Sequence, residues 1–131
     1  MLRPWLGIAC ALIASPGVAN DSAPFRFAAK YGDWAPLAPS SKAAYAAGAF
    51  DSLTLSGDSQ DSNADLRGIA ICARADGLTP AILAQMVDAR YVAHAEEWSF
   101  GPASVLAGAL LDACKAQVNT ERRKAGLSDH P

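Results

Sequence analysis

The sequence predicts a small all-α domain, an antiparallel bundle of three to four helices closed by one disulfide, and three observations carry that prediction. From Gly77 to Cys114 two apolar stripes at helical spacing follow one another. Before them, SKAAYAAGAFDSLTL has high helix propensity through its alanines. Two cysteines bracket the stripes, Cys72 just ahead of the first and Cys114 at the end of the second. A chain of 131 residues with hydrophobic types at 51% and charged types at 18% has the composition of one globular domain.

Taken in order, residues 1–19 read as a signal peptide. Arg3 gives a positive start, Trp5 to Ala14 an apolar run broken only by Gly7, and Ser15, Pro16, Gly17 and Ala19 a small-residue exit, with cleavage after Ala19. The apolar run is about ten residues, short of the roughly twenty that span a bilayer, so export to the periplasm is the reading and a membrane anchor the alternative. Ile8 and Ala9 before Cys10 offer a lipidation reading, but Gly7 stands where a leucine would be wanted. Residues 20–39, with Pro24, Pro36 and Pro39 among Phe25, Phe27, Tyr31 and Trp34, predict an extended arm with room for one helical turn, its aromatics leaning on a core built elsewhere.

The helical domain is expected over 40–126. Ser40 or Ser41 caps a helix over 41–55 whose buried stripe is Tyr45, Ala49, Phe50 and Leu53, with Gly48 letting a neighbour approach closely. SGDSQDSN, 56–63, predicts a mobile polar loop, and Leu66, Ile69 and Ile71 lead into a short fourth helix near 64–73. Thr79 and Pro80 open a helix over 80–97: the hydroxyl accepts from a free first-turn amide, and proline at the first position gives up a bond that was never available. Its stripe is Leu78, Ile82, Leu83, Met86, Val87 and Tyr91, with Leu78 and Leu83 placed as a hydrophobic staple. After a turn around Trp98, Phe100, Gly101 and Pro102 open a helix over 102–123 with Val105, Leu106, Leu110, Leu111 and Cys114 inward. The short connection makes the two an antiparallel hairpin. Arg122, Arg123 and Lys124 complement a helix dipole before Gly126, and 127–131 is a disordered tail.

Removing 1–19 takes Cys10 away and leaves Cys72 and Cys114 in a compartment where disulfides persist, so they pair, two reduced core thiols being the alternative. The bridge closes a loop of about 42 residues and takes on the order of 4 kcal/mol of freedom from the unfolded chain. Losing Arg3 also moves the formal charge from −2 to −3. With no basic face, nucleic acid is disfavoured as a partner, and so is a membrane surface after signal cleavage.

Catalytic patterns do not emerge. The mature chain holds only His94 and His130, too few for a histidine metal cluster; His94 with Glu97 makes an i to i+3 pair without a third ligand, and a polar helix terminus explains both. A Cys–His nucleophilic pair needs a thiol that the disulfide consumes. No glycine-rich phosphate loop, nucleophile elbow or CxxC occurs. Asp51, Asp58, Asp61 and Asp65 lack the alternation of a calcium loop. The sequence thus reads as a non-enzyme without cofactor or metal, acting by surface recognition. Glu96, Glu97, Trp98 and Phe100, on the turn between two rigid helices, are the candidate partner-binding residues. Trp98 has two readings, a partner anchor or a plug closing the hairpin, and both carboxylates are assigned to the surface because burying them unpaired is costly.

An exported chain carrying YAAGAFDSL, then CARADGLTPAILAQMVDARYVAHAEEW, then ASVLAGALLDAC resembles the Rap/Tai family of immunity proteins for type VI secretion amidase effectors. Tyr45, Gly48 and Asp51 match the family's aromatic-glycine motif; Cys72, Gly77, Thr79, the 94–97 turn, Ala109, Leu110 and Cys114 match the rest, over about 75 residues from Lys42 to Lys115. Lys42, Ala43 and Ala44 stand where many members have a cysteine, and Ala95 and Ala113 where prolines are common. The resemblance implies a periplasmic binder that covers the active site of a secreted peptidoglycan amidase, with Glu96, Glu97, Trp98 and Phe100 in its groove. A homodimer is a plausible assembly, since a two-helix face can pair with itself. The alternative is a periplasmic structural or stress-related helical protein without an effector.

Overall fold

The computed structural model describes residues 28–131; the expected signal peptide with its expected cleavage after Ala19, Cys10, and the first part of the expected arm with Phe25 and Phe27 lie outside them. The described chain is all helical, in the order α1 (Tyr31–Trp34), α2 (Pro39–Leu55), α3 (Gln60–Ala75), α4 (Pro80–Ala93), a 3₁₀ turn (Ala95–Ser99), α5 (Pro102–Ala113) and α6 (Lys115–Lys124), and no strand occurs among the described residues. The three or four expected helices are six. One turn comes from the arm, and the long last helix is divided in two.

One core runs through the described chain. Trp34, Tyr91, Leu106, Leu110 and Val118 are wholly buried in it, with Leu83, Val87, Val105 and Cys114 around them. The arm contributes more than a lean-on aromatic. α1 delivers Trp34 into the centre, where its indole N–H donates to Asp88 Oδ1 at 2.7 Å and its ring meets Tyr45 edge-on at 5.7 Å. Lys42 reaches the same Asp88 oxygen at 2.8 Å while lying over the Trp34 ring at 5.3 Å. A buried indole needs such a partner, and Asp88 ties the arm, α2 and α4 together through it.

α2 starts at Pro39, with no side-chain cap, rather than from Ser40 or Ser41. A proline at the first position sets φ for the helix and leaves no donor to satisfy, so neither serine is needed. α3 begins inside the segment expected to be a mobile loop. Ser59 accepts from the Ser62 amide at 3.1 Å while Ser62 Oγ accepts from the Ser59 amide at 3.0 Å, a reciprocal capping box built from two serines. α4 opens as its sequence indicates: Thr79 Oγ1 accepts from the Ile82 amide at 3.3 Å and Pro80 takes the first position. Leu78 packs on the core beside buried Leu83, but Ile82 faces out, and Ala84 takes an inward position instead.

The most extensive helix contact joins α3 to α6. Gly68 makes it possible: a β-carbon there would lie 2.5 Å from Val118 Cα and 2.8 Å from Val118 N. Gly48, assigned the close approach from sequence, is exposed, and a β-carbon there would meet nothing within 4 Å. Four residues beyond Gly68 and four before Val118, the Cys72–Cys114 disulfide fastens the same seam with the Cα atoms 5.7 Å apart. Cys114 is also where the expected helix over 102–123 breaks. α5 packs on α4 and α2, whereas α6 must follow α3, and the chain turns at the bridged residue.

Further along, Arg122 donates to Asp65 Oδ1 at 2.9 Å and to Ser128 O at 2.6 Å, so this arginine joins α6 to α3 instead of merely meeting the helix dipole. The segment 127–131, expected to fray, folds back on α6. Arg123 pairs with Asp129 at 2.9 Å, and the His130 amide donates to Asn119 Oδ1 at 2.6 Å. Gly126 at φ +73° permits that reversal.

Candidate partner-binding surface

The end of α4 turns into the 3₁₀ segment because its own side chains draw the chain back. Tyr91, fully buried, donates its hydroxyl to Phe100 O at 2.7 Å, and its carbonyl accepts the Trp98 indole N–H at 2.8 Å. These two bonds span the turn from opposite sides and end α4 at Ala93, short of the expected 97. Burial, reinforced by the negative charge of Glu97, pushes the Tyr91 hydroxyl up to about 12, so it remains a donor at any physiological pH. Tyr31 of α1 completes the platform, stacked on Trp98 with centroids 4.8 Å apart and planes 20° from parallel.

Trp98 closes the hairpin end and is also half open to solvent. One edge and one face are fixed against Tyr91 and Tyr31, yet 49% of the residue stays open to solvent. Phe100 is 53% exposed beside it, and Val92, at 82%, adds apolar surface from the last turn of α4. Glu96 is exposed as expected. His94 Nδ1 lies 3.0 Å from its Oε1, and a bond from its own amide together with that histidine holds its carboxyl below the usual carboxylate range.

Glu97 departs from the expectation that both carboxylates serve the surface. Its side chain is only 14% exposed and accepts two bonds from Arg90, Nε to Oε2 and Nη2 to Oε1, each at 2.7 Å. Arg90 Nη1 reaches Asp112 Oδ2 of α5 at 2.5 Å. One guanidinium thus ties α4, the 3₁₀ turn and α5 together. The pairing with Arg90 lowers the Glu97 carboxyl, and the bonds to Glu97 and Asp112 raise the arginine. The desolvation that made a buried glutamate unattractive is met by a bidentate partner.

The sequence reading missed Arg90, Asp112, Tyr31 and Tyr91 as parts of this surface. Arg90 and Glu97 are seven residues apart across a helix end, so helical spacing does not pair them. Gly108, a glycine inside an apolar helix stripe, is the one local sign that something approaches α5 closely.

The acid–base and metal alternatives gain no geometry here. His94 is engaged with Glu96 and Glu97 with Arg90, both sulfurs are in the disulfide, and among the described residues no group of three or more His, Cys, Asp or Glu is placed to share a metal ion. No helix among the described residues is long and apolar enough to cross a membrane. Against known proteins, the chain matches no family model, no curated protein and no solved structure.

Proposed function

We propose that the chain is a periplasmic immunity protein that binds and blocks a peptidoglycan amidase delivered by type VI secretion, with Trp98, Phe100 and Glu96 at the centre of its contact surface. The observation that carries this reading is the pair of half-exposed aromatics on a turn fixed by Tyr91, Tyr31 and Arg90. Rigid aromatics with a charge beside them are the usual source of binding energy at an interface, because little side-chain freedom remains to be lost. Three carboxylates, on Glu96, Glu97 and Asp112, stand against the one guanidinium of Arg90, so the surface is net negative. It suits a partner that presents an apolar cleft edged by positive charge, such as a hydrolase groove with a protonated histidine. Glu97 acts from within this surface by bonding Arg90. A bound inhibitor of this kind needs no cofactor.

The test is a titration with a purified peptidoglycan amidase, sought first in the reading frames that flank this one. Wild-type protein is expected to inhibit it stoichiometrically. Trp98→Ala, with an unchanged far-ultraviolet spectrum, is expected to bind about thirtyfold more weakly, the equivalent of a hot-spot loss of about 2 kcal/mol. Absence of wild-type binding, or full inhibition by Trp98→Ala, removes the proposal.

A second reading, a helical binding protein of the cell envelope without an effector, is favoured by one observation. A groove of about 420 Å³ between α2, α3 and α4 is lined by Phe50, Leu78, Leu83 and Ala73, with Asp51 and Arg74 at its edge. Sedimentation of the isolated protein separates either reading from self-association, which would appear as a concentration-dependent homodimer.

A further inference from the structure

Gly108 sits in the middle of α5, where glycine costs helix stability relative to alanine. A β-carbon at that position would lie 2.8 Å from Cζ, 2.9 Å from Nη2 and 3.1 Å from Nε of Arg90. The atoms it would strike are those that hold Glu97, since Nε and Nη2 make the two 2.7 Å bonds to that carboxylate. The missing side chain is therefore a seat for the guanidinium plane. From that seat Arg90 reaches Asp112, one turn further along α5, with its remaining Nη1. The side chains of Arg90 and Glu97 are only 18% and 14% exposed, so a partner covering the turn would find them already enclosed.

We infer that Arg90, seated on Gly108, is the positioning residue of the recognition turn: it draws Glu97 inward and so fixes the one arrangement in which Trp98, Phe100 and Glu96 face outward together. The inference rests on the proposed role of those three residues in binding, but the conformation it describes is a property of the free protein. The physical requirement is a planar fork. Lysine would supply the charge without two parallel bonds, and so would leave the carboxylate free to swing. A turn held in its bound shape before the partner arrives loses less freedom on association, which raises affinity without any added contact.

Gly108→Ala separates positioning from bulk stability. The three atoms nearest the new methyl all belong to the far end of the flexible Arg90 side chain, so α5 can accept it by displacing that guanidinium, and the helix gains propensity. The experiment is amide and indole hydrogen exchange by NMR on the oxidised free protein, for wild type, Gly108→Ala and Arg90→Lys. We expect the Trp98 indole and the Glu97 and Phe100 amides, which bond to Tyr91 O, His94 O and Glu97 O, to exchange at least tenfold faster in both variants. The Val118 amide, on the far seam, should keep its wild-type rate. Unchanged exchange at the turn, or equal acceleration at Val118, overturns the inference. Titration of the same two variants with a peptidoglycan amidase that the wild-type protein inhibits then reads affinity: a loss of tenfold or more, arising in the dissociation rate, supports preorganisation. Wild-type affinity despite a loosened turn overturns it. Failure of the wild-type protein to bind any such amidase would instead sink the proposed function, leaving the exchange result to stand by itself.

Discussion

Two glycines on neighbouring helices provide an opposed pair of alanine substitutions. At Gly68 an alanine β-carbon would stand 2.5 Å from Val118 Cα and 3.1 Å from Gln117 C, where ordinary contact begins near 3.4 Å. The obstructing atoms are backbone, so no rotamer change relieves them, and α3 and α6 must part by about 1 Å, a gap that forfeits a quarter to a half of the dispersion well of each contact along the seam. Overpacking of this kind costs up to about 3 kcal/mol, and the gain in helix propensity returns about 1 kcal/mol. The net expectation for Gly68→Ala is a loss of about 2 kcal/mol, a fall in Tm of roughly 8–16 °C for a domain of this size. Gly48→Ala meets nothing within 4 Å and should gain about 0.5–1 kcal/mol. Urea unfolding followed by circular dichroism, with the slope checked for constancy, measures both. The disulfide one turn along the seam limits how far the helices can separate, so Gly68→Ala should cost less in reduced protein than in oxidised. A Gly68→Ala protein as stable as wild type, or a Gly48→Ala protein destabilised to the same degree, would refute the placement of the α3–α6 contact.

Replacing Cys72 and Cys114 with serine should lower stability by about 3–4 kcal/mol, the entropy of a loop with its ends 42 residues apart, as read from the urea midpoint of the double variant. A change below about 1 kcal/mol would mean that the unfolded chain is already constrained without the bridge. Acid should loosen the Ala95–Ser99 turn before it unfolds the bundle. The folded Glu97 carboxyl lies below its ordinary 4.5 because of Arg90, so its stabilisation is complete above that value and fades as pH falls through the lowered one. Trp98 indole exchange, corrected for the intrinsic rate, should therefore rise at acid pH in wild type but not in Glu97→Gln. Asn119→Ala should free the His130 amide to exchange while leaving Tm within experimental scatter, since it removes one bond that holds the terminal segment to α6.

The helices were legible wherever apolar spacing, proline and caps agreed. Thr79 and Pro80 mark the start of α4 in the sequence, and Pro102, without a side-chain cap before it, marks α5. The Ser59–Ser62 box was legible in principle, but the polar composition of 56–63 hid it, because serine serves loops and caps alike. The break at Cys114 carries no glycine or proline to announce it. Within the candidate surface, Trp98, Phe100 and Glu96 stand exposed as expected, and Glu97 does not, because its partner lies across a helix end.

Local chemistry along the chain determined the helical class, the two cysteines that bridge, and the turn that carries the aromatics. Those features depend on residues within one or two helical turns, or on the two cysteines that the described residues contain. Tertiary structure alone decided which glycine admits a neighbouring backbone, which indole enters the core, and which carboxylate is spent inside the fold. Each of those outcomes depends on atoms from separate elements arriving within about 3 Å of one another, and a one-dimensional pattern does not encode that distance.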